Sequence, residues 1–130
     1  MRIFIASADQ TLRLALLLLL ESEPGMVVIG ISDRPKGLLT AVESLQPEVL
    51  LLDDGLTSPS TARLITDLQR LECRPRIVVL SIDPQSKAAA LAAGADGFID
   101  KSIPPDELLP LLRSMRSTDT PACPPVTIPD

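Results

Sequence analysis

Four apolar runs in this chain end on residues able to do chemistry. "RIFIA" runs into Ser7-Ala8-Asp9, "EVLLL" into Asp53-Asp54, "RIVVL" into Ser81, and "GFI" into Asp100-Lys101. If these runs are neighbouring strands, the groups meet along one sheet edge, where open α/β proteins gather their ligand and catalytic groups. A carboxylate there can act as a nucleophile towards phosphorus, forming an acyl phosphate. The dianion it creates needs a hydroxyl donor, an ammonium and usually a divalent cation around it. Asp53, Ser81 and Lys101 have the chemistry for the nucleophile, the hydroxyl and the ammonium.

The elements that would position them follow from apolar periodicity. Residues 2–7, 26–32, 48–53, 76–81 and 97–100 are short and almost continuously apolar, as expected of strands covered on both faces. Helical patterns alternate with them. The first covers about 10–22 and stops before Gly25. In the second, Leu38, Leu39, Val42 and Leu45 share one face; in the third, Leu64, Ile65, Leu68 and Leu71 do. The fourth is expected to start with Asp83 as N-cap and Pro84 at the first helical position, and to end before Gly94. The fifth starts near Pro105-Asp106-Glu107 and runs to about Met115; Pro110 inside it is expected to remove a hydrogen bond and kink it. Five βα units with short connections imply a parallel sheet covered on both sides. Residues 1–116 read as one domain. The segment 117–130, with "PACPPVTIPD" at its end, reads as a Pro-rich tail or the start of a linker.

Composition excludes several classes. A net charge of −5 and only scattered Lys and Arg count against nucleic-acid binding by the chain itself. Without Trp or Tyr there is little to stack a base on. The absence of histidine rules out a Ser-His-Asp triad and any His metal ligand. Cys73 and Cys123 have no metal-ligand spacing, and free thiols in a cytoplasmic chain are the expectation, with a single bridge as the alternative. The leucine run at 14–20 is far shorter than the roughly 20 apolar residues of a membrane span, so it reads as a buried helix core.

The pattern "RIFIA…LLESEPGMVVIGIS…LQPEVLLLD…RIVVLS…GADGFIDK" resembles the receiver domain of two-component response regulators. It is most like the subfamily whose full-length members end in a LuxR-type helix-turn-helix, as in NarL-like regulators. The resemblance covers residues 2 to about 116, and its most specific pieces are "PEVLLLD" and "GADGFIDK". It implies a flavodoxin-like (βα)5 three-layer sandwich with a five-stranded parallel sheet in the order 2-1-3-4-5. Asp53 then matches the phosphoacceptor, Ser81 the hydroxyl residue of the pocket, Lys101 its lysine, and Phe98 the aromatic that rotates on switching. It further implies Mg²⁺ as cofactor, a sensor histidine kinase as partner, and a homodimer through the fourth helix, fifth strand and fifth helix. A DNA-binding output domain would belong to a longer parent protein.

Departures from the family concern the metal. Typical receivers carry two adjacent acids after the first strand; here those positions are Ser7 and Ala8, with Asp9 one place later. Mg²⁺ demands near-octahedral oxygen ligands, so the loss weakens the site. The remaining candidate ligands are Asp9, Asp53 and the Gly55 carbonyl, although Asp9 reads first as the N-cap of the first helix. Ile82 stands where receivers usually keep a small residue. These changes point to an atypical receiver acting by protein–protein contacts with weak or no phosphorylation. A conventional Mg²⁺-dependent aspartyl-phosphate switch is the alternative. Enzyme readings fare worse. "SADQT" lacks the first aspartate of a haloacid-dehalogenase-like phosphatase, and no phosphate loop of flavodoxin type follows the first strand.

Overall fold

The computed structural model of the protein describes residues 1–57, 60–101 and 107–117, for 116 and 117 the backbone only. Five strands are present: β1 (Arg2–Ala6), β2 (Val27–Ser32), β3 (Val49–Asp53), β4 (Arg76–Ser81) and β5 (Gly97–Asp100). All pair in parallel, in the order β2-β1-β3-β4-β5. The helices are α1 (Gln10–Glu21), α2 (Leu38–Leu45), α3 (Asp54–Thr57), α4 (Thr61–Gln69), α5 (Ser86–Ala93) and α6 (Leu108–Ser117). The doubly wound topology is therefore the one the apolar runs imply. The expected tail, from Thr118 onward, lies outside the described residues.

Alternation along the strands divides the core. Ile3, Ile5, Val49, Leu51, Val78, Leu80 and Ile99 pack with α1 and α6 through Leu16, Leu20, Leu108 and Leu112. Phe4, Ala6, Leu50, Leu52, Ile77 and Val79 face the other way, onto α2, α4 and α5. Successive strand side chains point to opposite faces, so each continuous apolar run feeds both cores. The last helix is tied to the end of α1. Arg113 donates from Nε and Nη2 to the two Glu23 carboxylate oxygens, 2.8 Å each, and this pairing raises the pKa of Arg113 above its ordinary value.

Several sequence expectations are corrected. β2 is an edge strand and is only partly covered, with Val27 and Ile31 exposed. The leucine run is likewise split: Leu16 and Leu20 are buried, but Leu14 and Leu18 face water. Among the described residues no helix is long and apolar enough to cross a membrane. α5 starts at Ser86 with no side-chain cap, later than Asp83 and Pro84 suggest. The Asp83 carboxylate does accept from the Gln85 N–H, as an N-cap two residues ahead would, but the Ser86 and Lys87 amides bond three residues back, so a tighter turn precedes the helix. Pro110 falls in the first turn of α6, where an N–H has no intrahelical partner to lose. The four-residue α3 was not foreseen. Cys73 is disulfide-bonded rather than a free thiol, and Cys123 lies outside the described residues.

Gly30 is required by a close approach. The β1–β2 register slips between Ile3 and Phe4, and the Phe4 ring lies against the Gly30 backbone. A Cβ there would stand 2.6 Å from the Phe4 ring and 2.9 Å from Leu45 Cδ1. G30A should therefore destabilise the fold by about 1–3 kcal/mol through overpacking, read as a lower urea midpoint at unchanged m-value.

Candidate functional site at the carboxyl edge of the sheet

Asp53 is the last residue of β3, and at 2 % exposure its carboxylate is almost wholly removed from water. An uncompensated buried charge would cost several kcal/mol. Three donors prevent that. Lys101 Nζ forms an ion pair with Oδ1, the Gly55 N–H reaches the same oxygen at 3.0 Å, and Ser7 Oγ donates to Oδ2 at 2.7 Å. Ser7 is fully buried, and no buried polar side-chain atom among the described residues lacks a partner.

Strand parity explains which groups meet. Counting along β1 and β3, Ser7 follows Ile3 and Ile5 while Asp53 follows Val49 and Leu51, all on the α1–α6 face. Lys101 follows Gly97 and Ile99 with the same parity, and its backbone N–H holds the Ser81 carbonyl at 2.9 Å. Ser81 has the opposite parity, with Ile77 and Val79. Its hydroxyl accepts from the Asp83 N–H at 3.0 Å and lies 3.1 Å from Ser86 Oγ. Ser86 in turn donates to Asp54 Oδ2 at 3.5 Å. Ser81 is buried at the site, but its hydroxyl is engaged with the β4–α5 turn.

Of the two roles weighed for Asp9, the structure shows the helix cap. Its Oδ1 accepts from the amides of Thr11 and Leu12, at 3.0 and 3.2 Å. Among the described residues no three His, Cys, Asp or Glu side chains gather as metal ligands would. Gly55 sits against the site: a Cβ there would lie 3.3 Å from both Asp53 Oδ1 and Lys101 Nζ. Phe98 is partly buried against the α2–α4–α5 core. Ile82 does not cover the site, since it is 67 % exposed.

Two participants escaped the sequence reading. Ser7 stood out there as a missing acid, whereas here it touches the carboxylate directly; its strand-end position was visible, but not the face it shares with Asp53. Arg13 reaches back along α1 to donate from Nη1 to the Ser7 carbonyl at 2.7 Å, a link that no spacing rule announces.

A doubly wound five-stranded sheet with an Asp–Lys pair at the ends of its third and fifth strands defines a receiver-type domain. The family model described as "Response regulator receiver domain" matches residues 3–113, and the chain belongs to that family. It is 34% identical over 112 residues to the KDP operon transcriptional regulatory protein KdpE of Escherichia coli, covering 85% of this chain and 49% of that protein. It is 29% identical over 96 residues to the nitrate/nitrite response regulator NarL of the same organism, covering 72% of this chain and 44% of that one. The chain thus spans about half the length of these relatives. The receiver domain of the response regulator NarL from Mycobacterium tuberculosis superposes with a TM-score of 0.80 at 21% identity, over 91% of this chain and 97% of that one.

The Asp53–Lys101 pair predicts a specific stability pattern. K101M leaves the buried carboxylate with only the Ser7 and Gly55 donors and should cost roughly 3 kcal/mol. The same change in a D53N background should cost clearly less, so a double-mutant cycle by urea denaturation returns a coupling energy of about 1 kcal/mol or more.

Proposed function

We propose that this receiver domain signals chiefly through protein–protein contacts, in a conformation that Lys101 and Ser7 hold without a metal, and that phosphorylation of Asp53 is weak or absent. The observation that carries this reading is the occupied state of the Asp53 carboxylate. Both oxygens already accept strong hydrogen bonds, and one is ion-paired. A phosphoryl donor would have to displace those partners. It would also meet only protein cations where a Mg²⁺ site would offer further neutralisation.

The donor set does not fit Mg²⁺. Ser7 brings a hydroxyl whose proton is committed to Asp53, Ala8 brings a methyl, and the Asp9 carboxylate caps α1. A hard octahedral cation has too few oxygen ligands here to give up its waters. Metal ligation by Asp9, Asp53 and the Gly55 carbonyl is therefore no part of the proposal.

The domain acts as a non-enzymatic module in the cytoplasm, with a sensor histidine kinase as its input partner. Its output is a DNA-binding domain in a longer parent protein, in keeping with the transcriptional role named for KdpE. A conventional Mg²⁺-dependent switch is the competing reading, favoured by one observation: Asp53, Lys101 and Ser81 still share the carboxyl edge of the sheet.

Intact-mass analysis after incubation with acetyl phosphate or phosphoramidate, with and without Mg²⁺, separates the two. Wild-type protein should take up little or no phosphoryl group. The S7D/A8D variant, with the acidic pair restored, should gain a Mg²⁺-dependent adduct that is lost when D53N is added, together with a Mg²⁺-induced rise in Tm. A metal-dependent adduct on wild-type protein that is absent from D53N would establish the conventional switch instead.

A further inference from the structure

An exposed, largely uncharged surface lies along α1 and the β2 edge. The solvent face of α1 consists of Gln10, Thr11, Leu14, Ala15, Leu18, Glu21 and the C-cap Ser22, with Glu21 its single charge. Leu14 is 53% exposed and Leu18 72%. On the adjoining strand Val27 is 57% and Ile31 45% exposed. Between helix and strand runs an open groove of about 510 Å³, lined by Leu17, Glu21, Met26, Val27, Ile29 and Ile31 among others. Four of the seven large apolar side chains exposed among the described residues fall on this one face.

We propose that the α1–β2 face is a self-association surface, on which a second copy of this chain packs about a two-fold axis. The pattern on α1 is self-complementary. An isologous contact makes each patch meet itself in reverse. With the axis beside Leu16, Leu14 of one copy meets Leu18 of the other, Thr11 meets Glu21, and Gln10 meets Ser22. The only charge on the helix face thus faces a hydroxyl donor, never its own image. Antiparallel α1 helices also oppose their dipoles favourably.

Charge favours this face over others. The chain carries a net −5, so copies repel across most approaches, and a nearly neutral face lets them meet without juxtaposed like charges. The area suits a weak pair. Leu14, Leu18, Val27 and Ile31 expose on the order of 400 Å² of side chain per copy, a large patch for a monomer. A standard interface takes about 800 Å² from each partner, so Ala15, Leu17 and Ile29 must contribute, and the dimer is concentration-dependent.

The test is sedimentation velocity on the full chain, from micromolar to millimolar concentration. Wild-type protein should move from monomer to dimer across that range. L14K and L18E, at positions already in water, should each remain folded by circular dichroism and monomeric. An equimolar mixture of the two should recover association, because each introduced charge meets its opposite across the axis. L91E, at an exposed position on α5, should associate like wild type. Three results would overturn the proposal: a wild-type protein that stays monomeric at millimolar concentration, a dimer indifferent to L18E, or a dimer abolished by L91E.

Discussion

Burying the Asp53 carboxylate constrains everything around it. A charge taken out of water at the end of a central strand persists only if cations and hydrogen-bond donors are held at both of its oxygens. Each donor comes from a different element: Lys101 from beyond β5, Ser7 from the end of β1, and the Gly55 amide from the start of α3. Strand order makes this arrangement workable. β3 is central with β1 on one side and β4 on the other, and Lys101 reaches across from the far edge. The ion pair thereby ties the residue after β5 to the end of β3.

Replacing an acid by Ser7 changes the electrostatic problem more than it changes the shape. Two adjacent carboxylates beside Asp53 would repel it and each other unless a divalent cation neutralised them. A serine hydroxyl needs no counter-ion, and here it is oriented by two contacts of its own. It accepts from the Asp9 amide at 3.1 Å while Arg13 holds the Ser7 carbonyl. The β1–α1 turn is thus closed by the protein's own hydrogen bonds. Asp9, the next acid along the chain, caps α1. Ser81, on the opposite parity, spends its hydroxyl on the β4–α5 turn.

Much of the fold was legible in the residues, since short apolar runs alternating with helical periods leave few topologies for a parallel sheet. Asp53, Lys101 and Ser81 were legible as strand-end groups for the same reason. Helix boundaries were less so. Asp83 and Pro84 look like a helix start, and the Asp83 carboxylate does accept from the Gln85 amide as an N-cap would. The turn that follows nevertheless closes with bonds three residues back, and regular α5 begins only at Ser86. Pro110 looked like an interior kink, whereas it falls in the first turn of α6 as the described residues show it; the expected start at Pro105-Asp106 lies outside the described residues.

Residue types and their order determined the strand-end chemistry: one carboxylate, one lysine, hydroxyls, and no second acid beside the first strand. Tertiary structure decided which of these touch. Continuous apolar runs hide their alternation, so nothing in the runs themselves says that Ser7 shares a face with Asp53 while Ser81 does not. That assignment depends on which core each side chain joins, and it exists only once the helices have packed on both faces of the sheet. The leucines of α1 divide for the same reason. Leu16 and Leu20 found a sheet to cover, and Leu14 and Leu18 were left in water because β2 is the last strand on that side.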